Sequence, residues 1–342
     1  MTTTSPIRSA LQQILKHEPL DQKLMHAAMG MIMEGEADPI LISAFLVGLQ
    51  MKGEEVDEIA GAAQAMRERV TRITPTSTGL LDTCGTGGDG LHTFNISTAT
   101  AILAAACGVK IAKHGNRSVS SSSGSSNVLE TLGVNLQLSP QAVSTCVDEI
   151  GIGFCFAPLL HNAMKHVAPV RQQLGVRTIF NLLGPLTNPA GAEYQLLGTN
   201  NNLSAEKIAR ALAQLGTTRA AVVCGNNEID EISLWGETSA WIVEQEQVTH
   251  KTWNADTFGL EPCSIDELQV STPEESAAMI RNIFGGATGA ANMVIANTAA
   301  ALWITGRCES LLEGVELAKT NLAAGHAAKK LEELIELSQK LA

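Results

Sequence analysis

A chain of 342 residues, 45% hydrophobic and 17% charged, is an ordinary globular composition, long enough for two domains or for one large core with an appendage. Its 35 acidic against 23 basic residues give a formal charge of -12, which argues against a general nucleic-acid surface. Seven scattered cysteines with no Cys-x-x-Cys pair form neither a disulfide framework nor a zinc site and point to a reducing compartment. Residues 1–20 hold no signal-peptide core and no apolar run reaches membrane-spanning length, so a cytoplasmic protein with no membrane partner is expected.

Residues 5–73 read as four consecutive helices. Ser5-Pro6 supplies a cap and a first-turn proline, with Ile7, Leu11, Ile14 and Leu15 on one face. Asp21 opens a second helix and Asp38-Pro39 a third, which carries Ile40, Leu41, Ala44, Phe45 and Leu49. Residues 54–70 form the fourth, and 74–79 read as a linker. From Leu80 short apolar strands alternate with helices. Strands are expected at 80–83, 109–113, 153–157, 194–198 and 219–224, with helices at 97–107, 124–132, 139–150 and 204–215. This alternation predicts an α/β fold with a mostly parallel sheet, whose ligands sit at the carboxyl ends of the strands. Residues 161–190 read as a second connection to the helical unit. Further strands are expected around 240–248, and helices at 272–284, 290–304 and 310–341.

The stretch 80–132 concentrates the chemistry. A strand runs into Gly85-Thr86-Gly87-Gly88-Asp89-Gly90, a helix starts at Asn95-Ile96-Ser97-Thr98, and a second strand ends in the basic loop Lys113-His114-Gly115-Asn116-Arg117. A serine run, 118–126, follows. Free N–H groups and the dipole of a helix start favour an anion at such junctions. Gly85-x-Gly87-x-x-Gly90 satisfies the dinucleotide fingerprint, but Lys113-His114 stands where that motif needs an acid. A nucleotide P-loop is absent too, because Asp89-Gly90 replaces Gly-Lys-Ser/Thr. A plain tight turn is the competing reading; the clustering of polar groups favours a phosphate site. Asp89 repels a bare phosphate, yet fits if it accepts ribose hydroxyls or contacts a metal through water, which points to a sugar phosphate.

With those residues in view, the chain closely resembles the anthranilate phosphoribosyltransferase family over nearly its whole length. The resemblance rests on ordered blocks: Gly85-Thr86-Gly87-Gly88-Asp89, Asn95-Ile96-Ser97-Thr98, Lys113 through Ser121, Arg177-Thr178-Ile179-Phe180-Asn181, Leu183-Gly184-Pro185-Leu186-Thr187-Asn188-Pro189 and Asp230-Glu231. It implies a small α-helical domain hinged to a larger α/β domain of the nucleoside phosphorylase/phosphoribosyltransferase type. The corresponding division is 1–74 plus part of 161–190 against 75–160 and 191–342. It also implies a homodimer, Mg²⁺ as cofactor, and transfer of the phosphoribosyl group of phosphoribosyl pyrophosphate (PRPP) to the amine of anthranilate.

By position, the resemblance assigns PRPP to Gly85, Gly88, Asp89, Thr93, Asn95, Ile96, Ser97 and Thr98. It adds Lys113, His114, Gly115, Asn116, Arg117, Ser118, Val119, Ser120, Ser121 and Ser125. Anthranilate falls to Gly85, Asn116 and Arg171, with His114 and His161 lining its path, and the metal to Ser97, Asp230 and Glu231. The chain departs from the family pattern at Asn162, at Ser125-Ser126-Asn127 and at Asn227-Glu228-Ile229, where a glycine is common. Cleaving the anomeric bond builds charge on a departing pyrophosphate, so catalysis is mostly positioning and electrostatics. An arylamine is neutral at pH 7, and no dedicated acid or base is assigned. Arg171 is suited to a bidentate hold on a carboxylate. Two other readings stand beside this one: a pyrimidine nucleoside phosphorylase, and a non-catalytic relative that binds nucleic acid.

Overall fold

The computed structural model describes residues 5–117, 124–287 and 289–342. Four helices come first: α1 (Pro6–Ile14), α2 (Gln22–Glu34), α3 (Pro39–Lys52) and α4 (Val56–Arg67). Their starts follow the capping residues. Asp21 accepts the Leu24 N–H at 2.7 Å, and Asp38 accepts that of Ile40 at 2.8 Å, ahead of Pro39. The buried Glu58 binds the unit together, accepting from the Leu20 N–H at 2.9 Å and from Lys52 Nζ at 2.9 Å.

The alternating part contributes β1 (Leu80–Gly85), α5 (Ile96–Ala106), β2 (Lys110–Gly115), α6 (Ser125–Leu132), α7 (Pro140–Ile150), β3 (Ile152–Phe156) and a short α8 (Ala157–Leu160). Next come α9 (Ala168–Leu174), α10 (Phe180–Leu183), β4 (Tyr194–Gly198), α11 (Asn202–Gln214) and β5 (Arg219–Gly225). The hairpin β6 (Thr238–Glu244) and β7 (Gln247–Trp253) precedes α12 (Ala255–Phe258), α13 (Pro273–Phe284), α14 (Ala291–Ile304), α15 (Leu311–Ala323) and α16 (His326–Lys340). One seven-stranded sheet results, in the order β3-β2-β1-β4-β5-β6-β7. The first five strands in that order pair in parallel and the hairpin adds antiparallel to β5. The chain winds outward from β1 in one direction and from β4 in the other, so the crevice between β1 and β4 is the switch point where such sheets bind ligands.

Successive residues of β5 serve opposite faces: Ala221 and Val223 enter the core under α5 and α14, while Ala220, Val222 and Cys224 enter the core shared with α11 and α1–α4. α14 is apolar around its circumference because it lies in the middle of the first core. Residues 161–186 pack back onto α2, α3 and α4, as a second connection should.

The expected strands appear within two residues of their places, and 240–248 resolves into the β6–β7 hairpin. One expectation is corrected. Residues 310–341 form two helices, not one, because Gly325 holds φ 72° and no helix continues through a left-handed residue. The linker 74–79 is anchored as well as connecting: Asp148 accepts the N–H groups of Thr76 at 2.9 Å and Ser77 at 2.8 Å.

Candidate functional site

The four strands around the switch point, β1, β2, β4 and β5, all end in glycine: Gly85, Gly115, Gly198 and Gly225. The reason is steric. A β-carbon on Gly85 would meet the Asp230 carboxylate, and one on Gly198 would strike the Asp230 backbone. A β-carbon on Gly225 would lie 2.7 Å from the Glu231 carbonyl oxygen. Bare strand ends therefore let the 226–237 loop fold across the sheet edge and carry Asp230 and Glu231 into the crevice. The loop turns there through Asn226 (φ 52°) and Asn227 (φ 56°), so asparagine supplies the left-handed conformation that glycine gives elsewhere. Asn297, buried on α14, accepts the Ile232 N–H at 3.1 Å and fixes the loop beyond the acidic pair.

In the crevice three carboxylates crowd together. Asp230 Oδ2 accepts the Gly87 N–H at 2.7 Å, and its carboxyl faces that of Asp89. Burial first and Asp89 second push Asp230 up to about 6. Burial and then Asp230 push Glu231 well above the usual carboxylate range. Lys113 is the buried counter-charge: its Nζ donates to the Thr83 carbonyl and to Ser97 Oγ at 3.1 Å, and burial lowers its pKa. No three His, Cys, Asp or Glu side chains form a ready metal cage among the described residues. Asp89, Asp230, Glu231 and Ser97 are nonetheless hard oxygen donors with too little positive charge beside them. That suits Mg²⁺, which binds through one or two carboxylates and completes its shell with water and substrate phosphates.

The start of α5, where the sequence places an anion, carries polar partners from the protein itself. Asn95 Oδ1 accepts the Thr98 N–H at 2.9 Å, and the Ser97 N–H lies near enough to Glu231 to favour its charged form. The Glu231 carboxyl thus stands near the positive end of the helix. Ile96 and Thr98 turn their side chains inward, leaving only backbone toward the crevice. Thr93 bridges to Gln269 on the rim.

At the end of β2 a histidine pair lines the other wall. His114 Nδ1 donates to the Gly184 carbonyl at 3.1 Å, which fixes its tautomer and leaves Nε2 to accept from His161 Nε2 at 3.1 Å. Burial is the main reason both are neutral, His114 held down to about 3 and His161 to about 4. Beneath them lies a network the sequence reading missed. Asp82, fully buried, accepts the His114 N–H at 2.9 Å and Asn188 Nδ2 at 2.8 Å. The signal was present, an acid inside an apolar strand.

Arg171, on α9, is half-buried over the Phe180 ring at 5.2 Å and makes no side-chain hydrogen bond to a described residue. Arg117 is committed to Glu130 at 2.7 Å, and Asn116 and Ser125 stand together at the exposed mouth of the basic loop. Ser118, Val119, Ser120 and Ser121 lie outside the described residues. Arg177 belongs with Lys113, Arg117, Lys165 and Arg171 to the cations the sequence gathers in this region; its Nη1 would sit 2.5 Å from a β-carbon on Gly88, so a cation with no hydrogen bond or ion pair to a described residue overhangs the glycine turn.

A helical bundle joined to an α/β sheet, with acids and glycines at the switch point, defines a class, the glycosyl transferases. The family model described as "Glycosyl transferase family, helical bundle domain" matches residues 8–70, and "Glycosyl transferase family, a/b domain" matches residues 77–328. Within that class, the chain belongs to the anthranilate phosphoribosyltransferase family. It is 48% identical over 337 residues to the anthranilate phosphoribosyltransferase of Laribacter hongkongensis, covering 98% of each chain. The crystal structure of the Thermus thermophilus enzyme superposes with a TM-score of 0.90 at 40% identity, over 96% of this chain and 99% of that one. The Saccharomyces cerevisiae enzyme in complex with PRPP and Mg gives 0.89 at 27% identity, over 99% of both chains. Its complex with 4-fluoroanthranilate gives 0.87 at 26%, over 98% of both.

Proposed function

We propose that this chain breaks the anomeric C–O bond of PRPP and forms a C–N bond to the amine of anthranilate. The products are N-(5-phosphoribosyl)anthranilate, pyrophosphate and the proton lost by the amine. The observation that carries the reading is the grouping of Asp89, Asp230, Glu231 and Lys113 at the switch point of a chain that matches anthranilate phosphoribosyltransferases end to end. The yeast complexes with PRPP and Mg and with 4-fluoroanthranilate support both substrates and Mg²⁺. Asp230, Glu231 and Ser97 would hold the metal, whose charge offsets that of the phosphates.

The protein's own groups supply positioning. The turn at Gly85, Gly88 and Asp89, with Asn95 and the 113–121 loop, embraces PRPP. Arg171, over the Phe180 ring and without a hydrogen bond to any described residue, meets the anthranilate carboxylate. His114 and His161, both neutral, shape the acceptor's path and leave its amine uncharged. Mixing enzyme, PRPP, Mg²⁺ and anthranilate is expected to extinguish anthranilate fluorescence, with each omission abolishing the change. Fluorescence that persists with all components present overturns the reading. Turnover of thymidine with phosphate would favour a nucleoside phosphorylase, and salt-sensitive DNA binding a silent relative. Replacing Asp230 by Asn together with Glu231 by Gln is expected to lower activity sharply and flatten its Mg²⁺ titration; an unaltered titration removes both residues from the metal.

The same reading extends to organisation. The division 1–74 plus part of 161–190 against 75–160 and 191–342 is supported by the packing of α9 on α3 and of α10 on α4. Seven free cysteines accord with a cytoplasmic, reducing setting. A homodimer through the helical part is supported by the apolar side chains that α3 leaves exposed.

A further inference from the structure

At the amino-terminal edge of the sheet, away from the glycine-ended strand tips, a cavity of roughly 200 Å³ opens between the end of α4 and the loops ahead of β4 and β5. Arg67 enters it from α4. Its Nε donates to the Leu186 carbonyl at 2.6 Å, and its other guanidinium nitrogens bond to no described residue. Arg72, on the same wall, makes neither hydrogen bond nor ion pair with any described residue. The two cations are close enough to repel: burial first and Arg72 second hold Arg67 down to about 10, still charged at neutral pH. Across the cavity stand Thr217 and Thr218, whose hydroxyls donate to no described residue.

The acid in the lining does not answer these donors. Glu193 has both oxygens committed, Oε1 to the Gly79 N–H at 2.9 Å and Oε2 to the Leu80 N–H at 2.8 Å. A mostly buried cation beside a second one is costly without compensating negative charge. Among the described residues no acid forms an ion pair with either arginine, and Glu193 is the single acid in the lining.

We propose that this cavity binds a small tetrahedral oxyanion of the phosphate class, gripped by Arg67 and Arg72 on one side and by Thr217 and Thr218 on the other. The number of donors selects the ligand. Two guanidinium forks and two hydroxyls exceed what the two oxygens of a carboxylate accept, whereas a phosphate offers three or four. The occupant is held by the helical unit through Arg67 and Arg72 and by the sheet through the loop before β5. Its binding therefore adds to the stability of that junction.

The test is equilibrium dialysis of labelled inorganic phosphate against the full chain and against Arg72→Gln. Arg72 is exposed and unbonded, so the variant keeps its fold, and its turnover of PRPP and anthranilate is expected to match the wild type. The substrate crevice takes phosphate in both proteins alike, so the difference between isotherms reports the cavity. Wild type is expected to hold one more phosphate per chain, or to hold it about tenfold more tightly. Arg72→Lys is expected to restore part of the loss. Competition by glycerol 3-phosphate assigns the site to phosphate monoesters, and its failure assigns it to the free ion. Superimposable isotherms for wild type and Arg72→Gln overturn the proposal.

Discussion

The glycines that close β1 and β4 are explained by what lies above them, not by their own backbone. Gly198 has no left-handed φ, so alanine fits its conformation and only the collision with Asp230 matters. Gly198→Ala is expected to displace the Asp230–Glu231 loop, costing about 1–3 kcal/mol by overpacking. Displacing ligand groups by even an ångström lowers kcat/KM by on the order of a hundredfold. Urea midpoints and steady-state kinetics check both, and a variant with normal turnover would detach the loop from the chemistry. Arg171 gives a sharper division between substrates. A half-buried guanidinium that bonds to no described carboxylate suits an incoming one, so Arg171→Ala is expected to raise KM for anthranilate about tenfold or more. KM for PRPP should stay nearly unchanged, and equal rises in both would mean a structural role. At this scale the glycine turn and Asp89 were legible from the residues themselves, whereas the Asp230-Glu231 pair, which by residue type alone suits a solvated surface, entered with the family resemblance. Asn297 was not: an asparagine in an Ala-rich helix carries no mark of the loop, 65 residues earlier, that it holds.

Among the elements, strands and helices were legible where period and caps agreed, and the break at Gly325 was lost because the apolar pattern runs through it. The helix start at Asn95 shows what remains hidden. A helix N-terminus favours an anion, but sequence does not show that Glu231, 134 residues after Ser97, comes near it. The histidine pair joins β2 to the segment after α8 and carries a pH consequence with a definite sign. Both histidines stand below their ordinary 6.5 in the folded chain, at about 3 and about 4. Above pH 6.5 both are neutral folded or unfolded and nothing is lost. Between 6.5 and 4 the unfolded chain takes up protons that the folded chain refuses, so this contribution declines by about 3 kcal/mol per histidine. Asp230 and Glu231, with raised values, act in the opposite sense over the same range. The diagnostic is therefore the difference between wild type and His161→Asn: unfolding free energy should fall less steeply with acid in the variant. Parallel profiles would show that His161 takes up its proton without cost.

For the whole molecule, the sequence conveyed a helical unit and a parallel sheet but not which outer face meets another molecule. α3 runs apolar around its circumference, yet only one side of it is covered: Ile42, Phe45, Leu46 and Leu49 are buried, while Ile40 and Met51 are each 77% exposed. Leu15, at the end of the neighbouring α1, is 72% exposed. A helix of that kind is ordinarily enclosed on all sides, and a second copy of the same face is the simplest cover. Sedimentation equilibrium is expected to return twice the chain mass. Ile40→Glu combined with Met51→Glu places charges where the partner's apolar side chains would pack, and should return a single chain mass. Because both positions face outward, the thermal transition of each separated chain should survive. Asp89, Lys113, Arg171, Asp230 and Glu231 all come from one chain, so the dissociated protein should still turn over PRPP and anthranilate. A variant that remains a dimer moves the interface elsewhere, and a wild type that sediments as a monomer leaves α3 without a partner of its own kind.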